Sequence, residues 1–131
     1  NNTSFLVYNG EIYNLDYLKR LLKLEGIILT TTSDTEILYE LIINYGLDQT
    51  LELIHGMFSF VFYDKNSKKI FAAKDKFGQK PLFIYEDKKD LIISSSIISI
   101  NVIKPFIKLN IDAVQNYIFS QGHIYQQTKQ N

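Results

Sequence analysis

The sequence of 131 residues contains no cysteine and only 2 prolines and 6 glycines. The absence of cysteine excludes disulfides, thiolate zinc sites, iron–sulfur clusters and a cysteine nucleophile within these residues. An excess of one charge is also missing, because 14 Lys and Arg balance 14 Asp and Glu. No global field therefore favours nucleic acid or an anionic membrane as a partner. The apolar runs are far shorter than the roughly 20 residues that cross a bilayer, and no signal-peptide pattern opens the chain, so we expect a cytoplasmic protein.

The composition is that of one packed globular domain, with 46% hydrophobic and 14% aromatic residues. Apolar residues recur at helical spacing in some segments and alternate in others, which predicts an α+β fold. Four consecutive antiparallel strands after residue 56 suggest a meander. The predicted helices cover 15–24, 34–45, 47–54, 97–103 and 111–119, and the predicted strands cover 5–8, 57–63, 69–74, 80–85 and 91–95.

Three local patterns predict where elements begin and end. Asn9-Gly10 is typical of a tight turn and would end the first strand. Asn14 is a suitable cap for the first helix, and Gly26 stands where a helix end favours glycine. Ser33 and Glu36 have the spacing of a capping box, in which each side chain satisfies a backbone N–H at the start of the second helix.

The triplet Asn9-Gly10-Glu11 places an amide side chain, an unhindered backbone N–H and a carboxylate side by side. An Asn amide and a Gly N–H can converge on one oxygen and stabilise an oxyanion, a donor being worth on the order of 3 kcal/mol in a transition state. Spacing alone favours the other interpretation, an Asn-Gly turn without catalytic function.

Asp34 falls in the first turn of the second predicted helix, where the helix dipole stabilises a carboxylate that can receive a substrate ammonium group. A helix-start acid without a ligand is the alternative. The segment 75–81 is either a partner or substrate loop or a wide turn. His55 and His123 lack metal-ligand spacing, and neither a Walker loop nor a GxGxxG pattern is present.

Four segments in this order resemble the amino-terminal glutaminase domain of glutamine-hydrolysing asparagine synthetases, a branch of the class II glutamine amidotransferases. The resemblance covers most of residues 5–100, and the full Asn-Gly-Glu-Ile-Tyr-Asn run favours the asparagine synthetase branch. The segments are Val7-Tyr8-Asn9-Gly10-Glu11-Ile12-Tyr13-Asn14, Ser33-Asp34-Thr35-Glu36, Gly56-Met57-Phe58-Ser59-Phe60 and Ala73-Lys74-Asp75-Lys76-Phe77-Gly78-Gln79-Lys80-Pro81-Leu82.

The resemblance implies an N-terminal nucleophile hydrolase fold, an αββα sandwich of antiparallel sheets, here without its first segment. It implies a partial glutaminase domain over residues 1–104 and a connector toward a synthetase domain over 105–131. Asn9 and Gly10 match the oxyanion-hole pair. Glu11 and Asp34 match the positions that hold the α-amino end of L-glutamine, so the substrate site comprises these four residues. The parent enzyme would use ammonia from glutamine to amidate aspartate with ATP and magnesium, which bind in the synthetase domain and not in these residues.

The sequence also departs from the family pattern. The N-terminal cysteine nucleophile and the arginine that grips the glutamine carboxylate both precede the strand at Phe5 in the family, and neither is in this chain. Loss of a nucleophile typically costs about a millionfold in turnover, so we expect residues 1–131 alone to be inactive. Lys74 and Lys76 replace usual arginines, which removes bidentate pairing geometry. Ser96 replaces a usual glutamate.

Two other functions stay open. The chain can be a non-catalytic, degenerate glutamine-binding module, which the missing cysteine and Ser96 favour. It can also be the glutaminase domain of a related amidotransferase with another ammonia acceptor. The resemblance leaves open whether the parent is a homodimer, and it implies no nucleic-acid or membrane partner.

Overall fold

The computed structural model describes residues 4–105 and 111–119. The chain divides into two compact units, Asn1–Ile100 and Asn101–Asn131, and the site described below lies in the first. The described elements, in chain order, are β1 (Ser4–Ile12), α1 (Leu15–Leu24), α2 (Asp34–Tyr45), α3 (Leu47–Leu53), β2 (Gly56–Asp64), β3 (Lys69–Lys74), β4 (Phe83–Glu86), β5 (Leu91–Ser94), α4 (Ile97–Ile103) and α5 (Ile111–Phe119).

Helix α1 has the predicted bounds, and Gly26 follows its end with a φ of 75°. The helix forms because Leu18 and Leu22 share one face, and both side chains are fully buried. The predicted side-chain cap by Asn14 is wrong, since this side chain makes no cap bond. Its amide instead donates to the Leu53 carbonyl oxygen at 2.9 Å, so a tertiary contact displaces the local one.

Helix α2 begins as predicted, but the capping box is only half formed. The Ser33 hydroxyl accepts a hydrogen bond from the Thr35 N–H at 3.2 Å, which satisfies one of the free donors at the helix start. The Glu36 carboxylate does not return to the Ser33 N–H. It accepts hydrogen bonds from the backbone of Thr30 at 2.7 Å and of Thr31 at 2.6 Å, and so fixes the loop before the helix.

Strand β1 continues through Asn9-Gly10, so the predicted turn at this dipeptide is wrong. Asn9 pairs with Ser59 and Gly10 with Phe58 in an unbroken antiparallel ladder from Ser4 to Ile12. The antiparallel pairing of nine residues of β1 with β2 outweighs the local turn preference of one dipeptide. The strand instead ends in the turn that precedes α1.

The strands form a three-stranded sheet of order β1-β2-β3 and a two-stranded sheet of β4 and β5, both antiparallel. This arrangement confirms an α+β fold with antiparallel sheets. The predicted four-stranded meander is wrong, because β3 does not pair with β4 and the distant β1 takes the other edge of β2. The chain leaves the first sheet after β3, where the Asp75 carboxylate holds a turn that starts the connection to β4.

The core lies between the helices and one face of the three-stranded sheet. Phe58, Phe60 and Phe62 alternate along β2 as predicted and are at most 6% exposed. They pack with the buried faces of α1 and α2. The opposite face of the sheet is apolar but open, with Phe5 55% and Val7 70% exposed.

Candidate functional site

The Asn9-Gly10-Glu11 triplet lies within β1, an edge strand of the sheet in the described part of the chain. Asn9 and Glu11 have exposed side chains on the open face of the sheet, while Gly10 is on the core face. Asn9 also borders a cavity of about 70 Å³ that reaches the second sheet at Ser94. The Ser59 hydroxyl on β2 donates to the Pro81 carbonyl oxygen at 3.3 Å, in the segment just before β4.

Gly10 has a steric reason to be glycine. A Cβ atom at this position would lie 2.4 Å from the Met57 carbonyl oxygen, closer than real contacts allow. Gly56 is similar, since its Cβ would lie 2.2 Å from the Glu11 carbonyl oxygen. The two glycines allow β1 and β2 to approach closely next to the triplet, so backbone groups there are not shielded by side chains.

Asp34 lies in the first turn of α2, and its position next to β1 comes from a hydrogen bond with Tyr8. The Tyr8 hydroxyl donates to Asp34 Oδ2 at 2.9 Å. Tyr8 directly precedes Asn9, so the predicted substrate-binding acid is tied to the strand that contains the predicted oxyanion pair. Motif spacing does not identify Tyr8 as a site residue, although the strand alternation that puts Ser4 and Ile12 in the core puts Tyr8 on the same face.

The surroundings of Tyr8 are negative. Burial raises the pKa of the Tyr8 phenol well above its usual value, and the hydrogen bond to Asp34 and the charges of Asp34 and Glu11 raise it further. Both carboxylates therefore act on one phenol, which stays protonated and remains a donor. Among the described residues, no Lys or Arg side chain is seen to form an ion pair with Asp34 or Glu11. The negative charge of these two carboxylates favours binding of a positively charged group such as an ammonium.

The segment before α2 is held rigidly. The Glu36 carboxylate accepts four hydrogen bonds from the amides and hydroxyls of Thr30 and Thr31, and these bonds lower its pKa to about 2. The segment borders a cavity of about 510 Å³, which lies between Phe5 on β1 and the start of α2. Ser33 and Thr35 line this cavity on either side of Asp34 in the sequence.

Asn14, the last residue of the segment 7–14, connects two elements that are distant in the sequence. Its amide nitrogen donates to the Leu53 carbonyl oxygen at 2.9 Å, and its Oδ1 accepts from the His55 N–H at 3.0 Å. The Tyr13 N–H also donates to the His55 carbonyl oxygen at 2.7 Å. These bonds hold the end of β1 against the end of α3.

The loop after β3 is organised by Asp75. Its buried carboxylate accepts hydrogen bonds from the backbone N–H groups of Phe58, Phe77, Gln79 and Lys80 at 3.0 to 3.3 Å. Burial alone would raise its pKa, but these four donors outweigh burial and the pKa is lowered. The turn interpretation of segment 75–81 therefore has a structural basis.

The remaining candidate residues are not brought to the triplet. The His55 side chain borders a groove of about 430 Å³ together with Tyr13 and Phe77, and His123 lies outside the described residues. The Ser96 N–H donates to the Ser94 hydroxyl at 3.1 Å, and its carbonyl accepts from Ile100 in α4. Within residues 4–105 and 111–119, no group of three or more His, Asp or Glu side chains has the arrangement of a metal site.

None of the helices in the described residues combines the length and the apolar character needed to cross a membrane.

The chain matches a known protein family over almost its whole length. Residues 1–130 match the family described as a glutamine amidotransferase domain. Asparagine synthetase (glutamine-hydrolyzing) 2 of Bacillus subtilis is 42% identical over 95 residues, which are 72% of this chain and 12% of that protein. Asparagine synthetase (glutamine-hydrolyzing) 1 of the same organism is 32% identical over 119 residues, 91% of this chain and 19% of that protein.

The human asparagine synthetase (glutamine-hydrolyzing) is 38% identical over 79 residues, which are 60% of this chain and 14% of that protein. The chain spans less than a quarter of the length of the curated relatives that it matches.

Proposed function

Because this chain belongs to the glutamine amidotransferase family and resembles the amino-terminal domain of asparagine synthetases, we propose that it is the glutaminase domain of such a synthetase. The domain would hydrolyse L-glutamine to glutamate and ammonia, and the ammonia would amidate aspartate elsewhere in the parent protein. The observation that supports this proposal best is the Tyr8–Asp34 hydrogen bond, which links the acid of α2 to the strand of Asn9 and Gly10.

The proposed chemistry begins with binding of glutamine along the edge strand. The α-ammonium group would lie near the Asp34 carboxylate, which Tyr8 holds next to β1, and Glu11 on the same strand would add negative charge. The side-chain amide would lie at Asn9 and Gly10. When a nucleophile attacks the amide carbon, the carbonyl oxygen gains negative charge, and the Asn9 amide and the Gly10 N–H would stabilise it by hydrogen bonds.

The nucleophile must come from outside these residues, since the chain has no cysteine. In the proposed reaction its thiolate bonds to the amide carbon, the carbon–nitrogen bond breaks, and ammonia leaves with a proton from the site. Water then hydrolyses the thioester to glutamate and restores the thiol. By this proposal residues 1–131 bind glutamine in part but do not hydrolyse it alone.

We also propose where the glutaminase domain ends and that its sheets belong to an αββα sandwich. Residues 1–104 would form the glutaminase portion, and 105–131 would connect to a synthetase portion that binds ATP and magnesium and contributes most of the parent's length. The Ser59 hydroxyl donates to the carbonyl oxygen of Pro81 just before β4, and one cavity is lined by residues of both sheets, which is compatible with an αββα sandwich. Covering Phe5 and Val7 would complete the apolar layer between its sheets. The parent would be cytoplasmic, and a homodimer is compatible with this proposal.

A degenerate binding module is the second candidate function. The exposed Lys74 and Lys76 and the Ser96 position, which differ from the family's usual residues, favour it. The same negative region at Tyr8 would then bind glutamine without turnover.

Kinetics of the full-length protein that contains this domain test both candidates. We expect ammonia release from glutamine and, with aspartate and ATP, asparagine formation. Asn9→Ala should lower kcat for ammonia release by about 100- to 1,000-fold, the usual loss for one oxyanion donor. Asn44→Ala is the matched control, since this exposed amide, within residues 4–105 and 111–119, donates hydrogen bonds to Glu40 in its own helix.

Binding of glutamine without ammonia release would favour the degenerate module. Ammonia release without asparagine formation would indicate another acceptor. Equal activity of Asn9→Ala and wild type would contradict the assignment of the oxyanion pair.

A further inference from the structure

We propose that Tyr8 is a positioning residue that aims the Asp34 carboxylate at the α-ammonium group of the substrate, and that it thereby selects amides with a charged α-amino group. This inference rests on the proposed function. It extends that function to Tyr8, which is not among the four proposed site residues Asn9, Gly10, Glu11 and Asp34.

The geometry at Asp34 supports this role. Oδ2 of Asp34 accepts the hydrogen bond of the Tyr8 phenol at 2.9 Å. Its other oxygen, Oδ1, accepts no hydrogen bond from residues 4–105 or 111–119. Asp34 is half-buried, so part of this residue is open to a ligand. One oxygen is thus occupied by a fixed partner, and the other is left for a new one.

A fixed partner on one oxygen orients the whole carboxylate. A free aspartate side chain rotates about two bonds, and a ligand that binds it must stop this rotation at a cost in free energy. A hydrogen bond to a charged acceptor is among the stronger ones in proteins. The raised pKa keeps the phenol protonated, so it stays a donor at any ordinary pH. The carboxylate is therefore pre-oriented before the ligand arrives.

The position of Tyr8 in the strand adds selectivity. Tyr8 and Asn9 are neighbours in β1, and both pair with β2, to Phe60 and Ser59. Their side chains leave the strand on opposite faces. One rigid strand therefore sets the distance between the ammonium site at Asp34 and the amide site at Asn9. A substrate must present its α-ammonium group and its side-chain amide at this spacing. Tyr8 therefore does not increase the affinity for an amide that lacks the ammonium group.

The test compares Tyr8→Phe with wild type in the full-length protein, using L-glutamine and glutaramate, which is glutamine without its α-amino group. We expect the KM for glutamine to rise about tenfold in Tyr8→Phe, equivalent to about 1.4 kcal/mol, with little change in kcat. The inhibition constant of glutaramate should not change. Tyr39→Phe is the matched control, because it removes a phenol that bonds to Ser4 on the same strand and should leave both constants unchanged.

A double-mutant cycle shows whether Tyr8 acts through Asp34. In an Asp34→Asn background, the further change Tyr8→Phe should have no additional effect on KM, since the two residues form one interaction. Full additivity of the two substitutions would overturn the inference, and so would equal losses for glutamine and glutaramate.

Failure of the proposed glutaminase function would give a different experimental result from failure of the proposed role of Tyr8. A wild-type protein that neither binds nor hydrolyses glutamine would refute the glutaminase assignment itself. A wild-type protein that hydrolyses glutamine with the same KM as Tyr8→Phe would refute only the role of Tyr8.

Discussion

Gly10 on β1 lies so close to Phe58 on β2 that a Cβ atom on Gly10 would be 2.7 Å from the Phe58 Cα atom. The glycine therefore has a packing role beside its proposed role as a hydrogen-bond donor. Its neighbour Asn9 is exposed and has no such steric restriction. A substitution at Gly10 should therefore lower the stability of the fold, whereas a substitution at Asn9 should affect catalysis and leave stability nearly unchanged.

Gly10→Ala should destabilise the fold. The added methyl group meets backbone and Cβ atoms of the adjacent strand, so β1 must shift away from β2. We expect the free energy of unfolding to fall by about 1 to 3 kcal/mol, the usual cost of overpacking. Urea denaturation measures it. Asn9→Ala is the control and should change stability by less than about 0.5 kcal/mol, as for other exposed positions. A fully stable Gly10→Ala variant would show that the strands can separate at no cost.

Acid should destabilise the protein through Glu36. Its pKa is about 2 in the folded state against an ordinary value of 4.5, so between these values the unfolded state binds more protons. The stabilisation by Glu36 is then complete above about pH 4.5 and is lost as the pH falls toward about 2. The lowered pKa values of Asp64 and Asp75 act in the same direction.

Glu36→Gln isolates this contribution. We expect lower stability than wild type at neutral pH and a smaller loss on acidification, measured by thermal melts from pH 7 to pH 2. Glu52→Gln is the control, since this exposed side chain accepts no hydrogen bond from the described residues. If stability depends on pH in the same way for Glu36→Gln and wild type, the hydrogen bonds of Glu36 with Thr30 and Thr31 do not contribute to acid sensitivity.

Asn14→Ala should loosen the junction of β1 and α3. The change removes the hydrogen bonds to Leu53 and His55, and leaves their backbone groups without these partners. The expected loss is about 1 to 3 kcal/mol. Hydrogen exchange of the His55 amide is a local measure and should become faster. Asn14→Asp keeps the acceptor for this amide but loses the donor to Leu53, so an intermediate effect is expected. An unchanged rate of hydrogen exchange at the His55 amide in Asn14→Ala would contradict a stabilising role of the Asn14 hydrogen bonds.

Tyr45→Phe should stabilise the protein. The Tyr45 hydroxyl is buried and has no hydrogen-bond partner in the described part of the chain. Removing it should raise the free energy of unfolding by about 1 kcal/mol, because an unsatisfied buried hydroxyl costs about 1 to 3 kcal/mol. Tyr39→Phe provides the opposite case, since it breaks a 2.7 Å bond to the buried Ser4 hydroxyl. Loss of stability in both variants would indicate that Tyr45 has a partner.

The open face of the three-stranded sheet should cause self-association of residues 1–131. Val7 is 70% exposed and Ile70 47% exposed on this face, and contiguous apolar surface of this kind favours association. The double substitution Val7→Thr and Ile70→Thr should increase the monomer fraction in size-exclusion chromatography with light scattering. Ile28→Thr is the control, because Ile28 is 88% exposed but lies in a loop. A monomeric wild-type chain would contradict this prediction.

Elements with a local cause are predictable from the sequence alone. The bounds of α1, the start of α2 after the cap Ser33 and the buried phenylalanine face of β2 follow from periodicity and capping chemistry. These features involve residues within one or two turns or one strand, and their hydrophobic pattern is stronger than any competing local preference. The motif order also indicated the family, because several segments match together.

Strand pairing and the contacts between distant side chains depend on the packing of the whole fold. Asn9-Gly10 continues a strand because β2 supplies a partner almost fifty residues later in the chain, and Asn14 bridges to His55 across 41 residues. The Tyr8–Asp34 bond spans 26 residues, and no spacing rule within the sequence predicts it. Long-range contacts of this kind arise from the packing of the whole sheet against the helices, since the position of each partner depends on every element between them.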